Sequence, residues 1–130
     1  MRSVLSATAA DGKFKQKIQI GPHTLWGDEP TELGGGDEGP GPHEYLLAAL
    51  ASCTSMTVKM YADRKGWPLR ACVVHVEAEK QPDAFVIRRT LRLEGDLSEE
   101  ERARLLEIAT KCPVHKTLSG TIRIESTLAR

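Results

Sequence analysis

The chain has 130 residues, with 18 basic and 18 acidic side chains and no formal net charge at pH 7. This length predicts a single domain over residues 1–130, which buries roughly two thirds of its unfolded surface without disulfides or metals. Because the charges balance and no block of basic residues is present, we expect no nucleic-acid partner.

The cysteine count and the N-terminus bear on the compartment. Three cysteines, an odd number, argue against a secreted disulfide framework and leave redox, metal-binding or packing roles. Residues 1–13 lack a long apolar stretch, and no later apolar run reaches the ~20 residues that cross a bilayer. We therefore expect a cytoplasmic protein with no membrane partner.

A strand hairpin is predicted near the N-terminus. Residues 14–20 alternate between apolar and polar side chains, which is typical of a half-exposed strand, and Asp11-Gly12 favours a turn to an earlier strand over residues 4–8. The Gly- and Pro-rich residues 27–42 then predict a loop. No phosphate-binding motif accompanies its three consecutive glycines, so we expect no phosphate site there.

The central element is a long helix predicted over residues 42–65. Pro42 suits the first helical position, and Gly66 followed by Pro68 ends the helix. Residues 45–51 are all apolar, and a helix without a polar face is typical of a protein core. We therefore expect this helix to be buried.

The second half of the chain predicts an antiparallel pair of strands and a helix. The strands cover residues 71–80 and 84–94, joined by a turn over residues 81–83. On the second strand the residues expected to face inward are Phe85, Ile87, Leu91 and Leu93, and those expected to face outward are Val86, Arg88, Thr90 and Arg92.

A capping box at Ser98 and Glu101 predicts the start of the second helix. We expect this helix to end at Cys112, because the residue before Pro113 is pushed out of the helical region. A short turn and a last strand over residues 121–128 follow. The order of strands, long helix, strand pair, helix and strand predicts an α+β fold.

Cys53 and Cys112 are the first candidates for chemistry. Cys53 lies where polar residues first appear in the central helix, and it is either a reactive thiol or a small apolar core side chain. Cys112 precedes a proline suited to a first helical position, where backbone N–H groups lower the pKa of a thiol. The alternative is a cysteine that merely fills the end of a helix. Cys72 lies on the apolar face of a predicted strand, and we expect it to be an unreactive core side chain.

A zinc site is a competing use of these thiols. Cys112 and His115 have a spacing typical of zinc ligands, and Cys53 with His75 or His43 could supply the remaining ligands. Structural zinc sites usually contain two such closely spaced pairs, whereas this chain has one. We therefore predict no metal.

Several stretches together resemble a known family. They are PHE and LAALASCT within residues 42–54, MYA and RKGWPL within residues 60–69, GDLS at residues 95–98, and IA and KCPVH within residues 108–115. They are similar to the OsmC/Ohr family of thiol-dependent peroxidases, which reduce organic hydroperoxides. The resemblance implies an OsmC-like α+β fold with a long buried central helix, assembled as an intertwined homodimer.

The resemblance also implies the roles of the two thiols. Cys53 is then the peroxidatic thiolate, and its sulfenic acid condenses with the resolving Cys112 to a disulfide. An external dithiol reduces that disulfide by exchange, so no bound cofactor is expected. The implied partners are a small organic hydroperoxide and a dithiol reductant.

Family members place a glutamate and an arginine beside the reactive sulfur. Glu44 matches the glutamate of members whose helix begins Pro-x-Glu, and other members carry theirs where this chain has His43. Residues 11–20 contain lysines but no arginine to match. Without a nearby cation, a thiol on a buried apolar helix has a raised pKa and reacts slowly.

The spacing of Glu44 and Cys53 predicts a dimer. They are nine positions apart, which on one straight helix is about 13 Å along the axis and about half a turn around it. They cannot touch within one chain if the helix is straight. We therefore expect a twofold homodimer whose sites combine residues of both chains.

Three other functions stay open. The first is a thiol protein of the same fold that lacks peroxidase activity and binds or senses an apolar ligand. The second is a structural zinc module based on Cys112 and His115. The third is nucleophilic acyl transfer by Cys53 with His115 as its base.

Overall fold

A computed structural model describes all 130 residues of the chain. It confirms the predicted α+β fold, with antiparallel sheets and three α-helices. The chain forms two compact units, Met1–Leu46 and Leu47–Arg130, and the expectation of a single domain stays a prediction. None of the helices is long and apolar enough to cross a membrane.

The first unit is built on a three-stranded antiparallel sheet. Its strands are β1 (Val4–Thr8), β2 (Gln16–Ile20) and β3 (His23–Gly27), in the order β1-β2-β3. Val4 opposes Ile20 in the predicted hairpin, which is therefore confirmed. The sequence analysis did not predict β3, because its five residues show little alternation.

The predicted loop follows β3 and is irregular apart from one 3-10 turn, Thr31–Leu33. Its organising residue is Asp28, which is buried. The carboxylate of Asp28 accepts backbone N–H groups from Glu29, Gly36 and Glu38 at 2.8 to 3.2 Å. The loop is therefore held by hydrogen bonds to its own backbone.

Helix α1 (Pro42–Lys65) has the predicted bounds. At its start, Glu44 Oε1 accepts the backbone N–H of Gly41 at 2.8 Å. At its end, Gly66 adopts a left-handed φ of +73°, which residues with a side chain rarely adopt.

The expectation that α1 is buried on all sides is wrong for the single chain. Only one stripe, with a residue every fourth position, is buried: Leu50, Thr54, Val58 and Ala62. Ala48 and Ala49 are exposed, and Met56 and Met60 are 60% and 62% exposed. The rest of this chain fully buries one face of the helix, and several of the other apolar residues are left at the surface.

The second unit contains the predicted antiparallel strand pair, β4 (Leu69–Lys80) and β5 (Phe85–Gly95). Its core joins α1, these strands and the following helix through Val58, Ala62, Leu69, Leu97, Leu105, Ile108 and Ala109. Leu91 and Leu93 pack against this core as predicted. Phe85 is 43% exposed instead of buried, because it lies at the end of the strand pair.

Helix α2 (Glu99–Ala109) begins with the predicted capping box, in which Ser98 and Glu101 each bond the other's backbone N–H. It ends at Ala109 and not at Cys112. The reason is that Thr110 and Lys111 close the last turn with bonds to the carbonyls of Glu107 and Ile108, three residues back.

After α2 the chain forms α3 (Pro113–Ser119) where a short turn was predicted. The last strand, predicted over residues 121–128, is absent, and residues 121–130 have no regular structure. A strand needs a neighbour to satisfy its backbone, and none in this chain pairs with this segment. Ile122, Ile124 and Leu128 are consequently exposed.

Candidate active site

The candidate site lies in the second unit, where three elements meet. Helix α1 contributes Cys53 and Thr54, β5 contributes Arg89, and the start of α3 contributes Cys112 and His115. All three cysteines of the chain are free thiols. The site is therefore a pair of reduced thiols with a cation and an imidazole beside them.

Cys112 is the N-cap of α3, as its position before Pro113 predicted. Its backbone is extended, and its sulfur accepts the backbone N–H of His115 at 3.3 Å. The side chain is fully buried. The sulfur thus lies in a closed, partly polar environment.

Thr54 connects Cys112 to the rest of the site. Its hydroxyl is fully buried, donates to the carbonyl of Leu50 at 2.7 Å and lies 3.7 Å from the sulfur of Cys112. A hydroxyl has one proton to donate. When that proton goes to Leu50, the Cys112 thiol is the donor to Thr54, and when Cys112 is a thiolate the hydroxyl can turn to it.

Arg89 is the cation of the site. One of its terminal nitrogens donates to the hydroxyl of Thr54 at 2.9 Å, and the other lies 3.0 Å from Nδ1 of His115. A guanidinium group only donates, so Nδ1 of His115 accepts and the ring proton is on Nε2. Arg89 therefore fixes both the threonine hydroxyl and the imidazole.

The pKa of Cys112 is lowered by this arrangement. Burial raises the pKa, but this is outweighed by hydrogen bonds from the His115 backbone, Thr54 and Cys53 and by the charge of Arg89. The balance favours the thiolate, as the sequence predicted for an N-cap cysteine. In contrast, burial raises the pKa of the Cys72 thiol on β4.

Cys53 is half-buried, and its thiol is among the groups that lower the pKa of Cys112, so the two predicted thiols belong to one site. Glu44, the third predicted site residue, belongs to the first unit, where it accepts the N–H of Gly41. Its role at the thiols stays a prediction.

The sequence analysis missed Arg89 and Thr54. The signal for Arg89 was present, because it occupies an inward position in the alternation of β5, between Ile87 and Leu91. A lone cation on an apolar strand face is unusual and marks a site. Thr54 follows Cys53 directly, but its contact with Cys112 depends on a residue 58 positions away.

The residues considered as alternative zinc ligands do not gather. No three side chains of His, Cys, Asp or Glu are placed to hold a metal ion together. His75 lies on β4 with its side chain 68% exposed, 3.7 Å from Glu77. Cys112 and His115 of that set lie side by side, but His115 presents a backbone N–H to the sulfur.

A cavity of about 450 Å³, here called the Arg89 cavity, opens beside the site. Its apolar walls are Leu50, Phe85, Ile87, Leu106 and Leu118. Its polar lining is Arg89, Thr110, His115 and Ser119. The cavity is within the size range of small-ligand pockets.

The fold and the site together define an α+β protein whose site holds two free thiols, an arginine and a histidine. Residues 34–127 match the sequence pattern of the family described as OsmC-like protein. The chain therefore belongs to the OsmC-like family, as the resemblance predicted. No protein of curated function matches the sequence.

Solved structures share the fold. An OsmC-like protein from Mycoplasma pneumoniae superposes with a TM-score of 0.76 at 22% identity, covering 92% of this chain and 88% of that one. An organic hydroperoxide resistance protein OsmC from Legionella pneumophila has a TM-score of 0.67 at 20% identity, with 92% and 90% covered. OhrB of Bacillus subtilis, also an organic hydroperoxide resistance protein, has 0.63 at 20%, with 92% and 91% covered.

Proposed function

We propose that this protein is a thiol-dependent peroxidase that reduces organic hydroperoxides. The observation that carries the proposal is the pair of free thiols at the site, Cys53 and Cys112, of which Cys112 has a pKa lowered in part by Cys53 and by the charge of Arg89. Two further observations support it. The chain belongs to the OsmC-like family, and the solved structures that share its fold include organic hydroperoxide resistance proteins.

The first step is attack by Cys53, the more exposed thiol of the pair. The Cys53 proton passes to the thiolate of Cys112. The Cys53 thiolate then attacks the distal peroxide oxygen, the O–O bond breaks, and the leaving alkoxide takes the proton now held by Cys112 and becomes an alcohol. Cys53 is now a sulfenic acid.

The second step closes the disulfide. The sulfur of Cys112 attacks the sulfur of the Cys53 sulfenic acid, and the hydroxyl leaves as water once protonated. An external dithiol then reduces the disulfide by exchange, and no bound cofactor takes part. Because the pKa of Cys112 is lowered, Cys112 is a good leaving group when that dithiol attacks Cys53.

Arg89 replaces the cation that residues 11–20 do not supply. Before attack, the pair consists of one thiol and one thiolate, so it carries one negative charge. Arg89 favours that charge directly and also through Thr54, to which it donates a hydrogen bond. The sequence analysis expected a slowly reacting thiol because it found no nearby cation, and Arg89 of the same chain supplies that cation.

We also infer a homodimer. An exposed or half-exposed stripe on α1 is spaced alternately by four and three residues, the repeat with which helices pack against one another. Its members are Ala49, Cys53, Met56 and Met60. A partner subunit on this stripe covers the methionines and borders Cys53. That its Glu44 reaches the site stays the prediction from the sequence spacing.

The test is mass spectrometry under non-reducing conditions after one equivalent of cumene hydroperoxide. We expect rapid loss of about 2 Da, the two hydrogens lost when a disulfide forms, and a peptide cross-linked between Cys53 and Cys112. Cys112→Ser is expected to stop at a Cys53 sulfenic acid that dimedone traps. Cys53→Ser is expected to form neither product.

Cys72→Ser is the matched control, because it removes a thiol outside the site and we expect it to cycle like the unaltered protein. Survival of all three thiols in the presence of the alkyl peroxide contradicts the peroxidase. In that case the second candidate, an OsmC-like thiol protein that binds an apolar ligand, is favoured by the Arg89 cavity.

A further inference from the structure

We propose that His115 is a positioning residue: its ring nitrogen Nδ1 holds the guanidinium of Arg89 where the charge favours the Cys112 thiolate. The inference rests on the proposed function and deepens it, because that thiolate takes part in the peroxidase cycle. Its test needs no peroxide, since it concerns the resting, reduced protein. The observations behind it are two separate contacts of His115 and the way in which Arg89 is held.

His115 contacts the site through its backbone and through its ring. Its backbone N–H donates to the sulfur of Cys112 at 3.3 Å. Its half-buried ring has Nδ1 3.0 Å from a terminal nitrogen of Arg89, which donates to it. Every residue except proline supplies the same backbone N–H. A change of the side chain therefore removes the ring contact and leaves the backbone contact to Cys112 in place.

Arg89 depends on the ring contact because its side chain is long. Its other terminal nitrogen donates to the hydroxyl of Thr54 at 2.9 Å, so Thr54 on α1 and His115 on α3 hold the two arms of the guanidinium. One hydrogen bond leaves a long side chain free to rotate, whereas two bonds to separate arms fix the planar group. The ring of His115 therefore helps to determine where the charge of Arg89 lies.

The position of that charge bears on the thiolate. Burial raises the pKa of Cys112, but it is outweighed by hydrogen bonds from the His115 backbone, Thr54 and Cys53 and by the charge of Arg89. A cation favours a thiolate only while it stays close to it. An arginine released from the His115 ring is thus expected to favour the thiolate less.

This role of His115 is independent of whether Glu44 of the partner subunit reaches the site. A guanidinium has five N–H donors, and Thr54 and His115 engage two of them. A carboxylate on the remaining donors adds a charge partner but does not replace the acceptor at His115. The two contributions can therefore be measured separately.

The experiment is a titration by thiolate absorbance of the reduced protein carrying Cys53→Ser and Cys72→Ser, which leaves Cys112 as its only thiol. His115→Leu nearly keeps the size of the side chain but removes the acceptor. We expect it to lower the thiolate fraction, at a pH below the midpoint, by roughly threefold, because a nearby cation is no longer held. His115→Asn is expected to restore the thiolate fraction, because its amide oxygen is attached to Cγ as Nδ1 is.

Further variants of this single-thiol protein show whether His115 acts through Arg89. Arg89→Met is expected to lower the thiolate fraction, and adding His115→Leu to it is expected to cause no further change. In Glu44→Gln, in contrast, His115→Leu is expected to keep its full effect. His75→Leu is the matched control, because it removes an exposed histidine on β4 and is expected to leave the titration unaltered.

An equal thiolate fraction in His115→Leu and its parent overturns the inference, and so does a loss that His115→Asn shares, which would indicate packing alone. A further loss when His115→Leu is added to Arg89→Met also contradicts it, because His115 would then act directly.

If His115→Leu does not fold, nitrogen NMR of the His115 ring in the unaltered protein decides at neutral pH. A proton on Nε2 alone supports the inference, and a proton on Nδ1 overturns it, because Nδ1 could not then accept from Arg89. Failure of the peroxidase is seen separately in the mass-spectrometric test, which reports disulfide formation and not the titration of Cys112.

Discussion

Thr54 is the residue that connects Arg89 to Cys112. Its single hydroxyl contacts the backbone of its own helix, the guanidinium of Arg89 and the sulfur of Cys112. A buried hydrogen-bond network of this kind depends on every member, because an unpaired buried donor keeps its full desolvation cost. We therefore expect Thr54 to contribute both to the unfolding free energy and to the lowered pKa of Cys112.

Thr54→Val tests that coupling with a side chain of the same shape. We expect the unfolding free energy to fall by ~1–3 kcal/mol, because Arg89 loses a buried acceptor. The pKa of Cys112 is expected to rise, since one of the groups that lowers it is removed. Urea denaturation measures the first effect, and thiolate absorbance against pH measures the second.

Thr57→Val is the control for this substitution. Thr57 lies on the same helix but is only half-buried. We expect a change in unfolding free energy well below that of Thr54→Val and no change in the titration of Cys112. Equal effects of the two substitutions would mean that Thr54 acts only through the helix.

The lowered pKa of Cys112 also predicts a pH dependence of stability. The folded state favours the thiolate, so Cys112 stabilises the protein fully above its unfolded pKa, near 9.0, and this contribution is lost as pH falls through the lower folded value. Between the two values the unfolding free energy is expected to rise with pH.

Two variants isolate this contribution. The rise is expected in Cys53→Ser and absent from the double variant Cys53→Ser, Cys112→Ser, so the difference between their urea-denaturation free energies is measured against pH. The other groups, including Cys72, titrate in both variants. A difference that does not change with pH, or that falls, contradicts the assigned direction of the pKa shift.

At the scale of single elements, α2 shows how strictly one face of a helix is specified. Leu105 is fully buried in the core of the second unit, whereas its neighbour Leu106 is 58% exposed. The same residue type therefore has two different roles one position apart. The capping box at Ser98 and Glu101 fixes where the helix begins. It does not decide which of Leu105 and Leu106 faces the core.

Leu105→Ala is expected to lower the unfolding free energy by ~2–5 kcal/mol, because it leaves a cavity in the core. Leu106→Ala is the control, and we expect a change below ~0.5 kcal/mol. Denaturant unfolding of both variants provides the comparison. A loss at Leu106 as large as that at Leu105 would mean that Leu106 is buried in the protein in solution.

At the scale of the whole molecule, the apolar residues that one chain leaves exposed predict its assembly. Met56 and Met60 on α1 are exposed, and so are Ile122 and Ile124 in the C-terminal segment that forms no strand. Exposed large apolar side chains grouped on one helix face commonly mark an interface. In the proposed dimer, the partner subunit covers Met56 and Met60.

We expect sedimentation equilibrium to give twice the 14.3 kDa mass of the chain. The double substitution Met56→Glu, Met60→Glu is expected to shift the mass to that of one chain, because it places four carboxylates in the dimer interface. Lys59→Glu, between them in sequence, is the control and is expected to stay dimeric. A single-chain mass for the unaltered, active protein contradicts the dimer.

The sequence alone determined the parts of this protein that depend on neighbours along the chain. The bounds of α1, the hairpin of β1 and β2, the capping box of α2 and the N-cap position of Cys112 each follow from short-range patterns. Such signals act within a few residues, where propensity, capping and turn geometry dominate.

The tertiary structure decided what depends on contacts between distant residues. It selected one buried stripe on a helix that is apolar on several sides and left the C-terminal segment without a strand partner. It also placed Thr54 against Cys112 and Arg89 against Thr54. No pattern along the chain encodes these contacts directly, because they depend on how separate elements pack and on the hydrogen bonds that burial makes obligatory.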